Sequence, residues 1–148
     1  RHGAEIEIAD GRRFKPAERP DAVLLDAPCT ATGTLRRHPE ATVIKRPSDI
    51  GKLAKLQREL AGSAVRMLKP GGRLVVCTCS LQPEEGEEFA ADLLKAHREL
   101  KTVPIRSEEC PEMDRGLSQQ GWLRLTPAMW SGLGGIDGFF IARFQKQG

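Results

Sequence analysis

The sequence predicts an α/β domain with a largely parallel sheet, and three features of the pattern support this fold class. Two apolar runs, Ala22–Asp26 and Arg73–Cys77, are continuous rather than alternating, which is typical of strands buried on both faces. Between them, leucine, alanine and methionine recur at helical spacing from Leu53 to Leu68. Two more strand-like segments come late, at Trp122–Leu125 and Gly138–Phe144, so that strands and helices alternate along the chain.

The amino-terminal segments are predicted to be a short strand and two loops around the first buried strand. Glu5–Ala9 alternates polar and apolar residues and predicts a strand that ends at Asp10 and Gly11. A loop punctuated by prolines then leads to Ala22. The segment from Thr30 to Pro47 is polar and basic, which is typical of a long functional loop.

The two helices carry start and stop signals. Ser48 is the predicted N-cap of the first helix, and Pro70-Gly71-Gly72 predicts its end. Pro83 predicts the start of the second helix, with Glu84, Glu85, Glu87 and Glu88 in its first turns. Carboxylates there complement the helix dipole, so no catalytic role is assigned to them. Lys101–Ile105 is predicted as a further short strand.

The composition indicates an ordinary globular domain. The chain has 148 residues, 39% of them hydrophobic and 29% charged, with a net charge of +3. No apolar stretch approaches the ~20 residues of a membrane span, and the first ten residues lack the apolar core of a signal peptide. We therefore expect a cytoplasmic protein with reduced cysteines. No metal site is predicted, because Cys77-x-Cys79 lacks a second close pair and the histidines are scattered.

The basic residues are concentrated in one part of the chain. Between Arg36 and Arg58 there are seven Lys or Arg residues against two acids. Such a cluster is able to contact phosphates, and charge alone leaves a solvated helix face as an equal alternative.

Cysteines follow both of the predicted buried strands. Cys29 comes after the first strand and Cys79 after the second. Ligands of α/β sheets bind beyond the carboxyl ends of the strands, so the two thiols are able to share one crevice. A cysteine is a strong nucleophile once its thiolate is available. Cys77, inside the strand, is interpreted as a core residue, and Cys110 as a free structural thiol.

Four ordered motifs resemble the Sun/Nop family of RNA cytosine-5 methyltransferases, especially the bacterial enzymes that act on small-subunit ribosomal RNA. They are Asp26-Ala27-Pro28-Cys29, the following Arg36-Arg37-His38-Pro39, Thr78-Cys79-Ser80 with Pro83-Glu84-Glu85, and Asp137-Gly138-Phe139-Phe140. The resemblance runs from about Ala9 to Phe144 and is specific through the order of its motifs.

The resemblance implies a role for each of these residues. Cys79 would attack the 6-carbon of cytosine, Cys29 would assist release of the product, and Asp26 would contact the cytosine edge. The cofactor would be S-adenosylmethionine, with Asp10, Asp26 and Pro28 on its binding side. The RNA, expected to be ribosomal, would be contacted by four basic residues: Arg36, Arg37, His38 and Lys45.

The sequence departs from the family in lacking the glycine-rich strand-to-helix turn that binds the cofactor. It therefore resembles the carboxyl-terminal half of a Rossmann-like methyltransferase domain, with a mostly parallel sheet, helices on its faces and a late antiparallel strand. Since the chain also lacks an initiator Met, we expect residues 1–148 to be a partial catalytic domain, inactive alone. An unpaired sheet edge would favour self-association. A non-catalytic RNA-binding module and an amino-group methyltransferase stay open as alternatives.

Overall fold

A computed structural model describes residues 3–44 and 46–148 and shows an α/β fold. Several short 3-10 turns connect its main elements, which are β1 (Ala22–Asp26), α1 (Ala41–Ile44), α2 (Pro47–Met67), β2 (Arg73–Thr78), α3 (Glu87–Ala96), β3 (Leu100–Thr102), β4 (Leu123–Leu125) and β5 (Phe139–Lys146).

The five strands form one sheet in which β5 alone runs against the others. The strand order is β1-β2-β5-β3, and β4 also pairs with β5. β1 and β2 are parallel, with Asp26 opposite Cys77, whereas β5 is antiparallel to β2, β3 and β4. The predicted sheet direction and late antiparallel strand are thus confirmed. β2, β3 and β4 all pair with β5, which runs in the opposite direction. Of the four pairings, only that between β1 and β2 is therefore parallel. The start of β5 therefore meets the carboxyl ends of β1 and β2.

The core lies on one face of the sheet, under both long helices. Leu74 and Val76 of β2 and Phe140, Ala142 and Phe144 of β5 are fully buried there, and they form a single cluster with residues of α2 and α3. The predicted packing of helices against the sheet is confirmed, and both α2 and α3 lie on this face. Successive parallel strands β1, β2 and β3 progress in one direction across the sheet, so right-handed crossovers place both helices on the same side.

Helix α2 begins two residues earlier than predicted. Pro47 is its first residue, because the fixed φ of proline suits a first helical turn. The capping acceptor is the Asp49 carboxylate, which accepts the Arg46 backbone N–H at 3.0 Å. Ser48 lies inside the helix and is not its N-cap. The helix ends before Gly71, whose φ of 78° requires the left-handed conformation that glycine adopts at little cost.

Two predicted strands differ from the structure. Glu5–Ala9 is not a strand; Ile6 and Ile8 are 91% and 99% exposed, and no described strand pairs with this segment. An alternating pattern needs a partner to supply its hydrogen bonds, and here none is present. The strand predicted at Lys101–Ile105 is β3, Leu100–Thr102, which Pro104 prevents from continuing. Among the described residues no helix is long and apolar enough to cross a membrane.

Candidate active site

The two thiols predicted to share a crevice lie in contact. Cys29 follows β1 and Cys79 follows β2, and the parallel, in-register pairing of these strands brings both cysteines to the same edge of the sheet. Their Sγ atoms are 3.4 Å apart, and both residues are half-buried. The described cysteines are all free thiols.

Contact makes the two thiols chemically unequal. The hydrogen bond between the two thiols lowers the pKa of Cys79 to about 7, although burial opposes the shift. The same hydrogen bond, with burial, raises the pKa of Cys29 far above its usual range. Near neutral pH Cys79 is therefore partly thiolate, whereas Cys29 keeps its proton. A thiolate is the reactive form of cysteine, so this contact makes Cys79 the more reactive thiol of the pair.

The other two cysteines have no such partner. Cys77 is buried in β2, with its Sγ 3.7 Å from Asp26 Oδ1, and burial raises its pKa to about 11. It stays protonated, which agrees with its interpretation as a core residue. Cys110 lies in the irregular segment after β3, with its Sγ 3.6 Å from the Arg106 carbonyl oxygen.

A buried carboxyl group anchors the loop that carries Cys29. Glu85 is fully buried, and its Oε1 accepts the Thr30 backbone N–H at 3.0 Å. Its other oxygen accepts the Thr30 hydroxyl. The Gln57 Nε2 group of α2 donates both to Glu85, at 3.3 Å, and to the Pro28 carbonyl, at 2.9 Å. These bonds tie β1's terminal loop to α2 and to the turn that precedes α3.

Glu85 is a site residue that the sequence analysis missed. Its position among four neighbouring glutamates was explained by the helix dipole alone. The available signal was its place in the Pro83-Glu84-Glu85 motif directly after Cys79, since the structure starts α3 only at Glu87.

A second set of contacts holds Cys79 against the start of β5. The Gly33 backbone N–H donates to the Cys79 carbonyl at 2.9 Å, and the Gly138 N–H donates to the Gly33 carbonyl at 2.8 Å. A Cβ atom on Gly33 would lie 2.3 Å from the Gly138 oxygen, so only glycine allows this approach. Arg124, also missed from sequence, donates to the Ser80 carbonyl and forms an ion pair with Glu87 at 2.7 Å.

The basic residues predicted to bind RNA lie next to this edge, partly paired with acids. Arg36 and Arg37 are more than half exposed, and both guanidinium groups reach Asp137, which directly precedes Gly138. Arg36 Nη1 also donates to the Gly134 carbonyl at 3.2 Å. His38 contacts Glu40 at 3.0 Å. Lys45 lies outside the described residues.

The three residues predicted for the cofactor separate into two groups. Asp26 and Pro28 are exposed at the crevice beside the thiols, where both are accessible to a bound molecule. Asp10 is exposed too, but its carboxylate is held by the Arg12 guanidinium at 2.7 Å, which keeps the Asp10 pKa well below its usual range. No described contact joins Asp10 to the thiol pair. In the part of the chain that the structure describes, no acidic, His and Cys side chains gather as a metal site.

Comparisons with known proteins agree with the motifs. A family model described as 16S rRNA methyltransferase RsmB/F matches residues 2–145. The chain is 37% identical over 147 residues to "Ribosomal RNA small subunit methyltransferase F" of Cronobacter sakazakii, covering 98% of this chain and 30% of that protein.

Two solved structures share the fold. The structure of PH0851 superposes with a TM-score of 0.79 at 38% identity over 93% of this chain and 30% of its own. The structure of NSun6 from Pyrococcus horikoshii with SFG gives a TM-score of 0.75 at 25% identity, covering 98% of this chain and 35% of that one. The chain thus spans about a third of the length of these relatives.

Proposed function

Because this chain belongs to the 16S rRNA methyltransferase RsmB/F family, we propose that it is the nucleophile-bearing part of an S-adenosylmethionine-dependent RNA cytosine-5 methyltransferase. The observation that carries the proposal is the contact between Cys29 and Cys79, 3.4 Å apart at the ends of two parallel strands. The RNA would be ribosomal, as the names of its relatives indicate.

The proposed reaction begins with the Cys79 thiolate. The 5-carbon of cytosine is a poor nucleophile until a thiolate adds to the 6-carbon, which breaks the aromaticity of the ring and makes the 5-carbon enamine-like. S-adenosylmethionine, when bound, would supply the methyl group: the 5-carbon would bond to the methyl carbon as the carbon–sulfur bond of the sulfonium breaks, and the neutral thioether would leave. Loss of the 5-carbon proton then expels the Cys79 thiolate as the sulfur–carbon bond breaks.

Cys29 is suited to this release step. Its high pKa depends first on the hydrogen bond that it donates to Cys79. Once Cys79 is bonded to the ring, it no longer accepts that proton as a thiolate. The Cys29 pKa then falls, so Cys29 is able to become the base that takes the 5-carbon proton.

The surrounding residues supply binding. The exposed Asp26 carboxylate at the end of β1 would accept a hydrogen bond from the amino edge of cytosine, and with Pro28 it would border the cofactor. Arg36, Arg37, His38 and Lys45 would contact phosphates, which position an RNA without specifying its sequence. Asp10 would need to exchange Arg12 for the cofactor adenine.

We also propose that further polypeptide completes the catalytic domain. β1 is an edge strand, and Leu24 in its middle is 70% exposed, which is unusual for a strand of otherwise apolar sequence. A glycine-rich cofactor turn is expected in the portion of the relatives that this chain does not span. The described chain alone should bind S-adenosylmethionine weakly.

The thiol pair also discriminates between the proposal and its alternatives. An RNA-binding module needs neither cysteine, and an amino-group methyltransferase needs no covalent nucleophile. A site in which one thiol lowers the pKa of the other to about 7 is instead suited to covalent catalysis.

Substitution of each cysteine in the full-length protein tests the proposal, with unmodified small-subunit ribosomal RNA as substrate. We expect Cys79→Ala to abolish methyl transfer, and Cys29→Ala to accumulate a protein–RNA adduct that survives denaturing electrophoresis. Cys110→Ala is the matched control and should behave like the wild type. Methylation by Cys79→Ala at the wild-type rate would contradict the covalent mechanism.

A further inference from the structure

An open cavity of about 590 Å³ lies at the same edge of the sheet as the thiol pair. Leu125, which ends β4, and Ile136, shortly before β5, both line it. From Ile136 the chain passes through Asp137 to Gly138, which is hydrogen-bonded through Gly33 to Cys79. The cavity is thus linked to Cys79 through two backbone hydrogen bonds, and its lining does not include either thiol of the proposed reaction.

The lining combines an aromatic ring, flexible apolar groups and a free cation. Trp130 is half-buried, with Met113 and Met129 in the same wall. Arg115 also lines the cavity, and its exposed guanidinium group has no side-chain partner among the described residues. The acid of the lining is Glu112, and no ion pair joins it to Arg115 among the described residues.

The loop that carries Trp130 is joined to the basic residues. Trp130 has a φ of 57°, a left-handed conformation that is uncommon for a bulky residue. The Trp130 carbonyl accepts the backbone N–H groups of Leu133 and Gly135, which closes the loop on itself. Arg36 then holds this loop through the Gly134 carbonyl. An anionic strand that reaches the thiol pair past Arg36 would therefore also pass the Trp130 ring.

From this placement we propose that the cavity, named here the Trp130 pocket, binds an unpaired nucleobase next to the target cytosine, stacked on Trp130 with a phosphate on Arg115. The inference rests on the proposed RNA substrate. A target base must leave its stack to reach a catalytic crevice, and its neighbour then loses a stacking partner. An aromatic side chain replaces that partner for any base, because every base has a π-face. Arg115 supplies the positive charge that complements the phosphate.

Tryptophan fluorescence and RNA affinity of the full-length protein test the pocket, with the single-stranded hexamer of cytidylate as the probe. Trp122 is only 6% exposed and is not accessible to a base, so the quenching that is lost in Trp130→Phe reports on Trp130. We expect saturable quenching in the wild type and none in Trp130→Phe. A hexamer of abasic ribose phosphate should not quench, because it offers Arg115 a phosphate but no base to stack.

Affinity separates stacking from folding. Trp130→Ala should weaken binding of the hexamer about tenfold, whereas Trp130→Phe, which keeps a ring, should stay within about twofold. Leu133→Ala is the matched control, since Leu133 is on the same loop, 86% exposed and outside the cavity lining. Equal affinities of Trp130→Ala and Leu133→Ala, or bound hexamer without quenching, would overturn the pocket.

The kinetics of methyl transfer distinguish failure of the Trp130 pocket from failure of the proposed function. On small-subunit ribosomal RNA, Trp130→Ala should raise KM about tenfold and leave kcat within about twofold. If the wild type methylates the RNA and Trp130→Ala has the same KM as the wild type, the Trp130 pocket is refuted and the proposed function is not. No cytosine methylation by the wild type would refute the proposed function, and quenching by the cytidylate hexamer would still decide the pocket.

Discussion

At the scale of single residues, the main result is that two chemically identical thiols in contact have different pKa values. Cys29 and Cys79 occupy equivalent places after adjacent strands, and both are half-buried. Their mutual contact separates them, because the hydrogen bond between the thiols lowers the pKa of Cys79 and raises that of Cys29. No charged side chain is needed near Cys79; Asp26 and Glu85 in fact oppose the lowering of its pKa.

This arrangement predicts the pH dependence of Cys79 reactivity. A lowered pKa means that the thiolate is present above about pH 7 and is lost as the pH falls below it. Alkylation by iodoacetamide should therefore rise through pH 7 and level off above it. In Cys29→Ala the largest cause of the low pKa is removed, so the midpoint should move to higher pH and the rate at pH 7 should fall at least about tenfold.

Peptide mapping after alkylation provides the measurement, because it resolves Cys79 from the other cysteines. Cys110→Ala serves as the control and should leave the midpoint where it is. An unchanged midpoint in Cys29→Ala would mean that the neighbouring thiol is not what activates Cys79.

At the scale of elements, two loops form the site only because a third group holds them. The loop after β1 is fixed by Glu85 through Thr30, and the Glu85 backbone carbonyl accepts the Thr78 hydroxyl at 2.9 Å. Glu85 therefore couples the end of β1 to the end of β2. Glu85 thus fixes several groups at one point.

We expect substitution of Glu85 to cost both stability and activity. Glu85→Ala leaves buried donors of Thr30 and Gln57 unsatisfied, which should lower the free energy of unfolding by about 2–4 kcal/mol. Glu85→Gln keeps one acceptor oxygen and should cost about half as much. Chemical denaturation measures the decrease in the free energy of unfolding. The rate of methyl transfer without denaturant measures the effect on activity of a misplaced Cys29.

Glu88→Ala is the control for Glu85, because Glu88 lies three residues later, is exposed on α3 and should change the free energy of unfolding by less than about 0.5 kcal/mol. Equal effects of the two substitutions would contradict the anchoring role of Glu85.

Prediction of helices and strands from the sequence succeeded for the long helical repeat of α2. It failed for a segment that needs a neighbouring strand to become a strand itself. The periodicity of α2 and the stop signal at Gly71 were sufficient, because helix hydrogen bonds are local. Glu5–Ala9 has a strand pattern, but a strand takes its hydrogen bonds from a neighbour, and the sequence pattern does not contain that information.

At the scale of the whole molecule, the sheet ends in an open edge beside the site. β1 pairs only with β2 among the described strands, and Leu24 leaves an apolar side chain 70% exposed on the face away from α2. Unpaired edges and exposed apolar residues favour association with another strand.

The isolated chain of 148 residues should therefore self-associate. Sedimentation velocity over a range of concentrations should show species heavier than the monomer. Leu24→Lys should reduce their fraction several-fold, because a charge on an edge strand disfavours pairing. Leu133→Lys places the same charge on an exposed loop residue and should have little effect. A monomer at all concentrations would show that the edge is protected.

The sequence by itself determined the α/β class, the identity of most elements and the placement of two thiols after neighbouring strands, because each of these follows from short-range patterns. Only the tertiary structure decided which other groups surround the two thiols and hold the site together. Glu85 reaches Thr30 across 55 positions, and Arg37 reaches Asp137 across 100. Such contacts exist only after the sheet has closed, since hydrogen bonds act over a few ångströms whatever the separation along the chain. The unequal chemistry of Cys29 and Cys79 is likewise a property of a 3.4 Å distance.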